Sequence, residues 1–231
     1  MNGGLIFLDE TGSTQDELRT RLEAGEDVFG VASGHQTEGR GRHGRVWLST
    51  PGESLALSVA IRAPHNRRAY PFIGMRTAAR IANRYGAQVR WPNDVVAEEK
   101  KLAGILVEAV EVNRERLLLI GIGLNLNQTA FPSSLADRAT STFLMEGQVR
   151  VPREEAEAIA DLVRQPAPGG WEEIRAEWEA VDDTVGKWFR APGEDPRLAL
   201  GVDAFGRLRL QDSDDPNGER SIAAAEAYFG K

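Results

Sequence analysis

The sequence predicts an α+β protein: a central mixed or antiparallel sheet flanked by helices, with a small β-barrel at its C-terminal end. Three observations predict it. Leu55, Leu57, Val59 and Ile61 alternate with Ala56, Ser58 and Ala60, the period-2 pattern of a strand with one face to the core. Between Pro71 and Tyr85, the residues Phe72, Ile73, Met75, Ala78, Ala79, Ile81 and Ala82 form the wide apolar stripe of a packed helix. After Asp183 the helical pattern gives way to short β-prone pieces separated by turns. The expected organisation is a main domain over 1–183 and a β cap over 184–231.

The remaining elements follow in order. Ile6-Phe7-Leu8 reads as a short buried strand. Thr14 followed three residues later by Glu17 is a capping-box signature, opening a helix with Leu18 and Leu22 on one face that stops near Gly25. Val28 to Ser33 reads as a strand, and so does Gln88 to Trp91, which Pro92 cuts off. Ile105 to Val112 and Arg116 to Ile122 are β-rich runs joined by Asn113-Arg114-Glu115, most simply a hairpin. Pro152 to Val163 and Gly170 to Val181 are expected helices, with two prolines in the linker between them. The cap would use Lys187 to Phe189, Leu198 to Val202, Arg207 to Leu210 and Ala227 to Phe229, with turns at Pro192-Gly193, Phe205-Gly206 and Pro216-Asn217-Gly218. So small a β unit is marginal alone and is expected to pack on the main domain.

Composition narrows the function classes. The formal net charge of −7 argues against broad nucleic-acid binding, which needs a basic surface. With no cysteine, disulfides, thiolate metal sites and cysteine nucleophiles are excluded, and the three histidines are too scattered for a histidine metal site. The N-terminus lacks a basic n-region, and no apolar run approaches the roughly 20 residues a membrane span needs. The expected location is cytoplasmic, without a membrane partner.

Three constellations carry chemistry. Gly39-Arg40-Gly41-Arg42-His43-Gly44-Arg45 concentrates arginine and glycine in an acidic chain. Glycine permits close backbone approach, and arginine supplies permanently charged planar donors, so the loop suits an anion. Its Gly-x-Gly-x-x-Gly spacing imitates a dinucleotide fingerprint, but Gly44 leads into the β-prone Arg45 to Thr50 and not into a helix. No P-loop is present. A solvated basic turn is the plain alternative. An RG-rich nucleic-acid segment is another, though such segments sit in basic, repetitive sequence.

The second constellation is Arg90-Trp91-Pro92-Asn93-Asp94 with Lys101-Leu102-Ala103-Gly104. Here a rigid Trp-Pro pair can present Asn93 and Asp94 at a strand end, for a magnesium ion, a hydroxyl or an amine. A lysine at a strand mouth, with Gly104 inside, can reach a bound anion. An ordinary turn and a surface lysine are credible readings of each part alone, less so of both together with the first loop. The third is Gly121-Ile122-Gly123-Leu124-Asn125-Leu126-Asn127, a strand whose glycines allow close approach and whose Asn125 brings a neutral polar group, or a plain glycine-bearing strand.

Taken together, these residues resemble the biotin protein ligases. That family's pattern is met by Ser13-Thr14-Gln15, by Gln36 with Gly39 to Arg45 and Trp47, by Arg90 to Asp94, by Lys101 to Glu108 and by Gly121 to Asn125, in the same order and spacing. The match runs from about Leu5 to Leu144, and Trp178, Thr184-Val185-Gly186 and Gly201-Val202-Asp203 resemble the family's SH3-like cap. Gln15 stands where asparagine is usual, and Arg90 where lysine is more frequent. No winged helix-turn-helix precedes the STN-like segment, so the resemblance is to the monofunctional form, without DNA.

The resemblance implies a class II synthetase-like ligase fold. It also implies ATP-dependent conversion of biotin to biotinyl-5′-AMP, then transfer to a lysine of a biotin carboxyl carrier protein. Ser13, Thr14, Gln15 and Gln36 would bind biotin's ring, with Gly41 beside them. Arg40, Arg42 and Lys101 would be catalytic, closing on carboxylate and α-phosphate, and Gly104 would floor the biotin pocket. Arg42, Arg45, Trp47, Asp94 and Asn125 would face ATP, and Asp94 and Asn125 would hold Mg2+. A homodimer paired through a sheet edge is left open. The competing readings are a lipoate-type ligase, a silent biotin sensor and a noncatalytic nucleic-acid-binding protein using the Arg/Gly loop.

Overall fold

The computed structural model describes residues 3–190, 194–212 and 218–224. These form a seven-stranded mixed sheet and a four-stranded antiparallel sheet. The main sheet is built from β1 (Gly4–Leu8), β2 (Val28–Ser33), β3 (Ser54–Arg62), β4 (Gln88–Arg90), β5 (Asp94–Ala97), β6 (Lys100–Val112) and β7 (Glu115–Asn125), with α1 (Thr14–Glu23) between β1 and β2 and α2 (Tyr70–Arg84) between β3 and β4. Its order is β1-β2-β3-β7-β6-β5-β4, and only β1 and β2 run parallel. Then come α3 (Thr142–Glu146), α4 (Pro152–Val163) and α5 (Arg175–Glu179), and the cap strands β8 (Trp188–Phe189), β9 (Arg197–Val202), β10 (Leu208–Gln211) and β11 (Glu219–Ile222).

The expected α+β architecture is present, and the departures have physical causes. β3 is buried on both faces, not one. Leu55, Leu57 and Val59 pack with Phe72, Ile73 and Met75 of α2, while Ala60 joins Leu18 and Leu22 of α1 on the other side. The small residues that read as a solvent face are the room a second layer needs. Ser13, not Thr14, stands at the N-cap position of α1, and its side chain makes no capping bond. The Thr14 hydroxyl is committed elsewhere, to Gln36 Oε1 at 3.0 Å and Ser58 Oγ at 2.8 Å, so no capping box forms.

The β6–β7 hairpin turns on Asn113 and Arg114, both at positive φ, a two-residue turn tighter than the expected three. Arg45 to Thr50 is not a strand; it makes one bridge, Arg40 to Val46. The expected helix over 170–181 is a 3-10 turn at Trp171–Glu173 followed by the short α5. Three of the labelled elements went unread: β5, the short α3 and β11. The cap turn at Pro192-Gly193, most of that at Pro216-Asn217-Gly218, and the strand Ala227 to Phe229 lie outside the described residues.

The cap sheet is joined to the main sheet through Trp91, which is fully buried. Its backbone N–H donates to Thr184 Oγ1 at 2.9 Å, its indole N–H to the Gly206 carbonyl at 3.0 Å, and its ring meets Phe189 edge-on. A buried indole that finds such a partner is well suited to fixing two layers.

Candidate active site

The helices divide the main sheet's faces unequally. α2 and α4 cover one face along β3, β6 and β7. On the other face α1 covers only one end, over Ala60, Leu117 and Leu119. At the other end the cross-strand partners are small: Ser58 opposite Gly121, Ala56 opposite Gly123, and Gly123 opposite Gly104. Their smallness leaves a cavity of about 1000 Å³. Every candidate residue lines it: Ser13, Thr14, Gln15, Gln36, Arg40, Gly41, Arg42, Arg45, Trp47, Asp94, Lys101, Gly104 and Asn125.

One end of the cavity is polar and uncharged. Thr14 N–H donates to Gln36 Oε1 at 2.7 Å, and Gln36 N–H donates to Ser49 Oγ at 3.1 Å. Gln15 donates from Nε2 to the Leu119 carbonyl at 3.3 Å, and its amide lies flat on Gly121. A Cβ at residue 121 would stand 2.9 Å from Gln15 Cδ, so glycine is what admits the longer side chain there.

The opposite end gathers charge. Lys101 Nζ lies 2.6 Å from Asp94 Oδ1 and 5.6 Å from the Trp47 ring centroid. A bulge makes this pairing. Asp94 faces Gly104 across the ladder, but the register slips so that Val96 faces Lys101 and Leu102 is skipped. Leu102 is driven into the core, and Lys101 is turned onto the Asp94 face. Backbone bonds from Lys101 N–H to the Arg138 carbonyl at 2.8 Å and from Thr140 N–H to the Lys101 carbonyl at 3.0 Å then fix its main chain.

The Arg/Gly loop lies over this cavity and folds on itself, with Gly41 N–H to the Arg45 carbonyl at 2.7 Å and Trp47 N–H to the Gly39 carbonyl at 2.9 Å. No helix follows Gly44, which removes the dinucleotide reading. Arg42 donates to Asn93 Oδ1 at 3.2 Å and to the Ala224 carbonyl of the cap. Burial lowers the Arg42 pKa, with Asp94 opposing and Arg45 adding to the shift, yet a guanidinium stays charged. Arg45 is exposed. Arg40 makes a two-point bond with Asp16 at 2.6 and 2.7 Å. The Trp47 indole lies on the floor, where a Cβ on Gly123 would come within 2.4 Å of it, and its buried N–H has no partner among the described residues.

Asn125 spends its amide on the chain, donating to the Thr140 carbonyl at 2.9 Å and the Lys101 carbonyl at 3.3 Å, with Gln128 at 3.4 Å from its oxygen. Its nitrogen thus braces the Lys101 and Thr140 carbonyls, while its oxygen faces Gln128. Among the described residues there is no cluster of three His, Cys, Asp or Glu suited to a metal. A single carboxylate, Asp94, fits a magnesium ion that takes its other oxygens from phosphates and water.

Sequence reasoning missed Asp16, Ser58 and Gln128. The signal for Ser58 was a lone hydroxyl between two alanines on a core strand. Asp16 and Gln128 carried none.

Fold and cavity together are those of a ligase catalytic domain, and comparison with known proteins makes the class explicit. A family model described as "Biotin/lipoate A/B protein ligase family" matches residues 8–127. "Bifunctional ligase/repressor BirA" of Bacillus spizizenii is 32% identical over 251 residues, covering 100% of this chain and 75% of that protein. "Biotin--[acetyl-CoA-carboxylase] ligase" of Mycobacterium tuberculosis is 31% identical, covering 89% of this chain and 82% of that one. Among solved structures, biotin protein ligase from Aquifex aeolicus in complex with biotin and ATP superposes with a TM-score of 0.77 at 24% identity, covering 99% of both chains. The chain belongs to the biotin/lipoate A/B protein ligase family. Among the described residues, no helix is long and apolar enough to cross a membrane.

Proposed function

We propose that this chain activates biotin with ATP and transfers it to a lysine of a biotin carboxyl carrier protein, as the carboxylase-ligase names of its relatives suggest. In the first step a carboxylate oxygen of biotin attacks the α-phosphorus of ATP and pyrophosphate leaves. In the second, the carrier lysine amine attacks the acyl carbon of biotinyl-5′-AMP, and AMP leaves. The observation that carries this reading is one cavity with an uncharged polar end and a cationic end, joined across a glycine floor.

The neutral end, Ser13, Thr14, Gln15 and Gln36, offers the donors and acceptors a ureido ring requires. Gly41 backs it and Gly104 floors the chain of the ligand. Lys101 sits where carboxylate and α-phosphate would meet, and exchanges Asp94 for these two anions as they enter. Arg42 and Arg45 neutralise phosphate charge, and Trp47 offers a flat face to the nucleotide. Asp94, released from Lys101, would hold magnesium, which shields the phosphates. Asn125 keeps the Lys101 main chain in place. Positioned charge accounts for the acceleration without a covalent nucleophile.

Biotin-dependent exchange of labelled pyrophosphate into ATP tests this directly. Exchange with biotin and none with lipoate supports it. Exchange with lipoate alone reassigns the chain within its family, and none with either defeats the reading.

A further inference from the structure

Asp16 belongs to none of the motifs that mark the cavity. It stands in the first turn of α1, one residue past Gln15, and takes both terminal nitrogens of Arg40 at 2.6 and 2.7 Å. The hydrogen bond to Arg40 holds the Asp16 carboxyl below its ordinary value, and the same bond raises Arg40. The other charges facing the pair are Arg19 beside Asp16, and Glu38 and Glu108 beside Arg40. Arg19 is itself engaged by Glu108 at 3.4 Å.

Side-chain exposures of 43% for Arg40 and 45% for Asp16 make this a surface pair. Such a pair adds little to global stability. Its two-point geometry is specific, however, so its effect is to choose where Arg40 points. The loop's backbone bonds are mostly its own, and the rest of the molecule grips it through side chains. Arg42 is gripped at the cationic end by Asn93 and the Ala224 carbonyl. At the neutral end that grip is Arg40 on Asp16.

We infer that Asp16 is a positioning residue: it fixes Arg40 at the neutral end of the cavity and so sets the Arg/Gly loop in place before any ligand enters. Binding then loses less to ordering of the loop, which lowers the ligand concentration needed without changing the chemical step. The kinetic half of this inference rests on the reading of the cavity as a biotin and ATP site; the structural half does not.

The test uses the full chain and its Asp16→Asn and Asp16→Glu variants. Hydrogen exchange is followed at residues 39–47 without ligand, and biotin KM and kcat are measured in pyrophosphate exchange. Asp16→Asn is expected to speed exchange in that segment about 3- to 10-fold and to raise biotin KM by a similar factor, with kcat within about twofold. Asp16→Glu should recover part of both, and neither variant should move the unfolding midpoint. Unchanged protection at 39–47 in Asp16→Asn overturns the inference, as does a fall in kcat with KM unmoved. If the parent chain lacks biotin-dependent exchange, the functional reading fails by itself, and loop protection still decides the role of Asp16.

Discussion

Lys101 and Asp94 meet at 2.6 Å because β6 carries one residue more than β5 between their shared pairs. Without that bulge at Leu102, Lys101 would point to the opposite face of the sheet, away from the cavity. Lys101→Ala should therefore remove the cation at the point where two anions converge. Pyrophosphate exchange is expected to fall about 10²- to 10³-fold, the range for deleting one preorganised charge-stabilising donor. The denaturant midpoint should hardly move, since the Lys101 side chain is 36% exposed. Exchange within tenfold of the parent would show that Lys101 is a surface lysine after all.

Gly123 lies under the Trp47 indole so closely that a methyl group has no room. Gly123→Ala should expel the indole from the floor and spoil the alignment of the bound ligands. Turnover is expected to drop about 10- to 100-fold, with a red shift in tryptophan emission as the ring enters water. If emission and turnover are both unchanged, the indole does not rest on Gly123 in solution.

Much of this was legible in sequence where the information is local. Lys101, Gly104, Asp94 and the Arg/Gly loop sit in short runs whose residue types declare a chemistry, and all of them line the cavity. What could not be read was pairing over distance. Thr14 has the spacing of a capping residue, yet its hydroxyl goes to Gln36, in the segment after β2, and to Ser58 on β3. Ala56, Ser58 and Ala60 suggested an outer face because nothing local reveals a second layer. The bond that holds Arg40 was equally out of reach: its partner Asp16 lies 24 residues earlier and outside every motif.

Arg42 ties the loop to both the main sheet and the cap, through Asn93 and the Ala224 carbonyl. Arg42→Gly deletes both ties and adds backbone freedom to a segment already rich in glycine. The Arg/Gly loop, which lies over the cavity, should then retain the adenylate poorly. Biotinylation of an added bystander protein is expected to rise relative to transfer to a carrier domain. A variant that labels no bystander while still forming adenylate would contradict this role of Arg42.

Glu155 supplies one pH-dependent contribution to stability. It is 7% exposed and accepts hydrogen bonds from Tyr85 Oη at 2.6 Å, Arg84 at 2.8 Å and Arg150 at 2.9 Å, linking α2 to α4. Burial alone would raise its pKa, but the bonds from Tyr85, Arg84 and Arg150 outweigh burial and hold it below the ordinary value of 4.5. A depressed carboxylate contributes stability that is complete above that ordinary value and disappears as pH falls through the folded-state pKa. Glu155→Gln should thus cost about 1–3 kcal/mol at pH 7, the range for stranding buried partners of a hydrogen bond. The difference between variant and parent should shrink as the medium is acidified below the ordinary value, because the parent is then protonated too. Urea titrations at pH 7 and in that acid window measure both quantities. A penalty independent of pH would mean that Glu155 acts through packing, and that its charge contributes nothing.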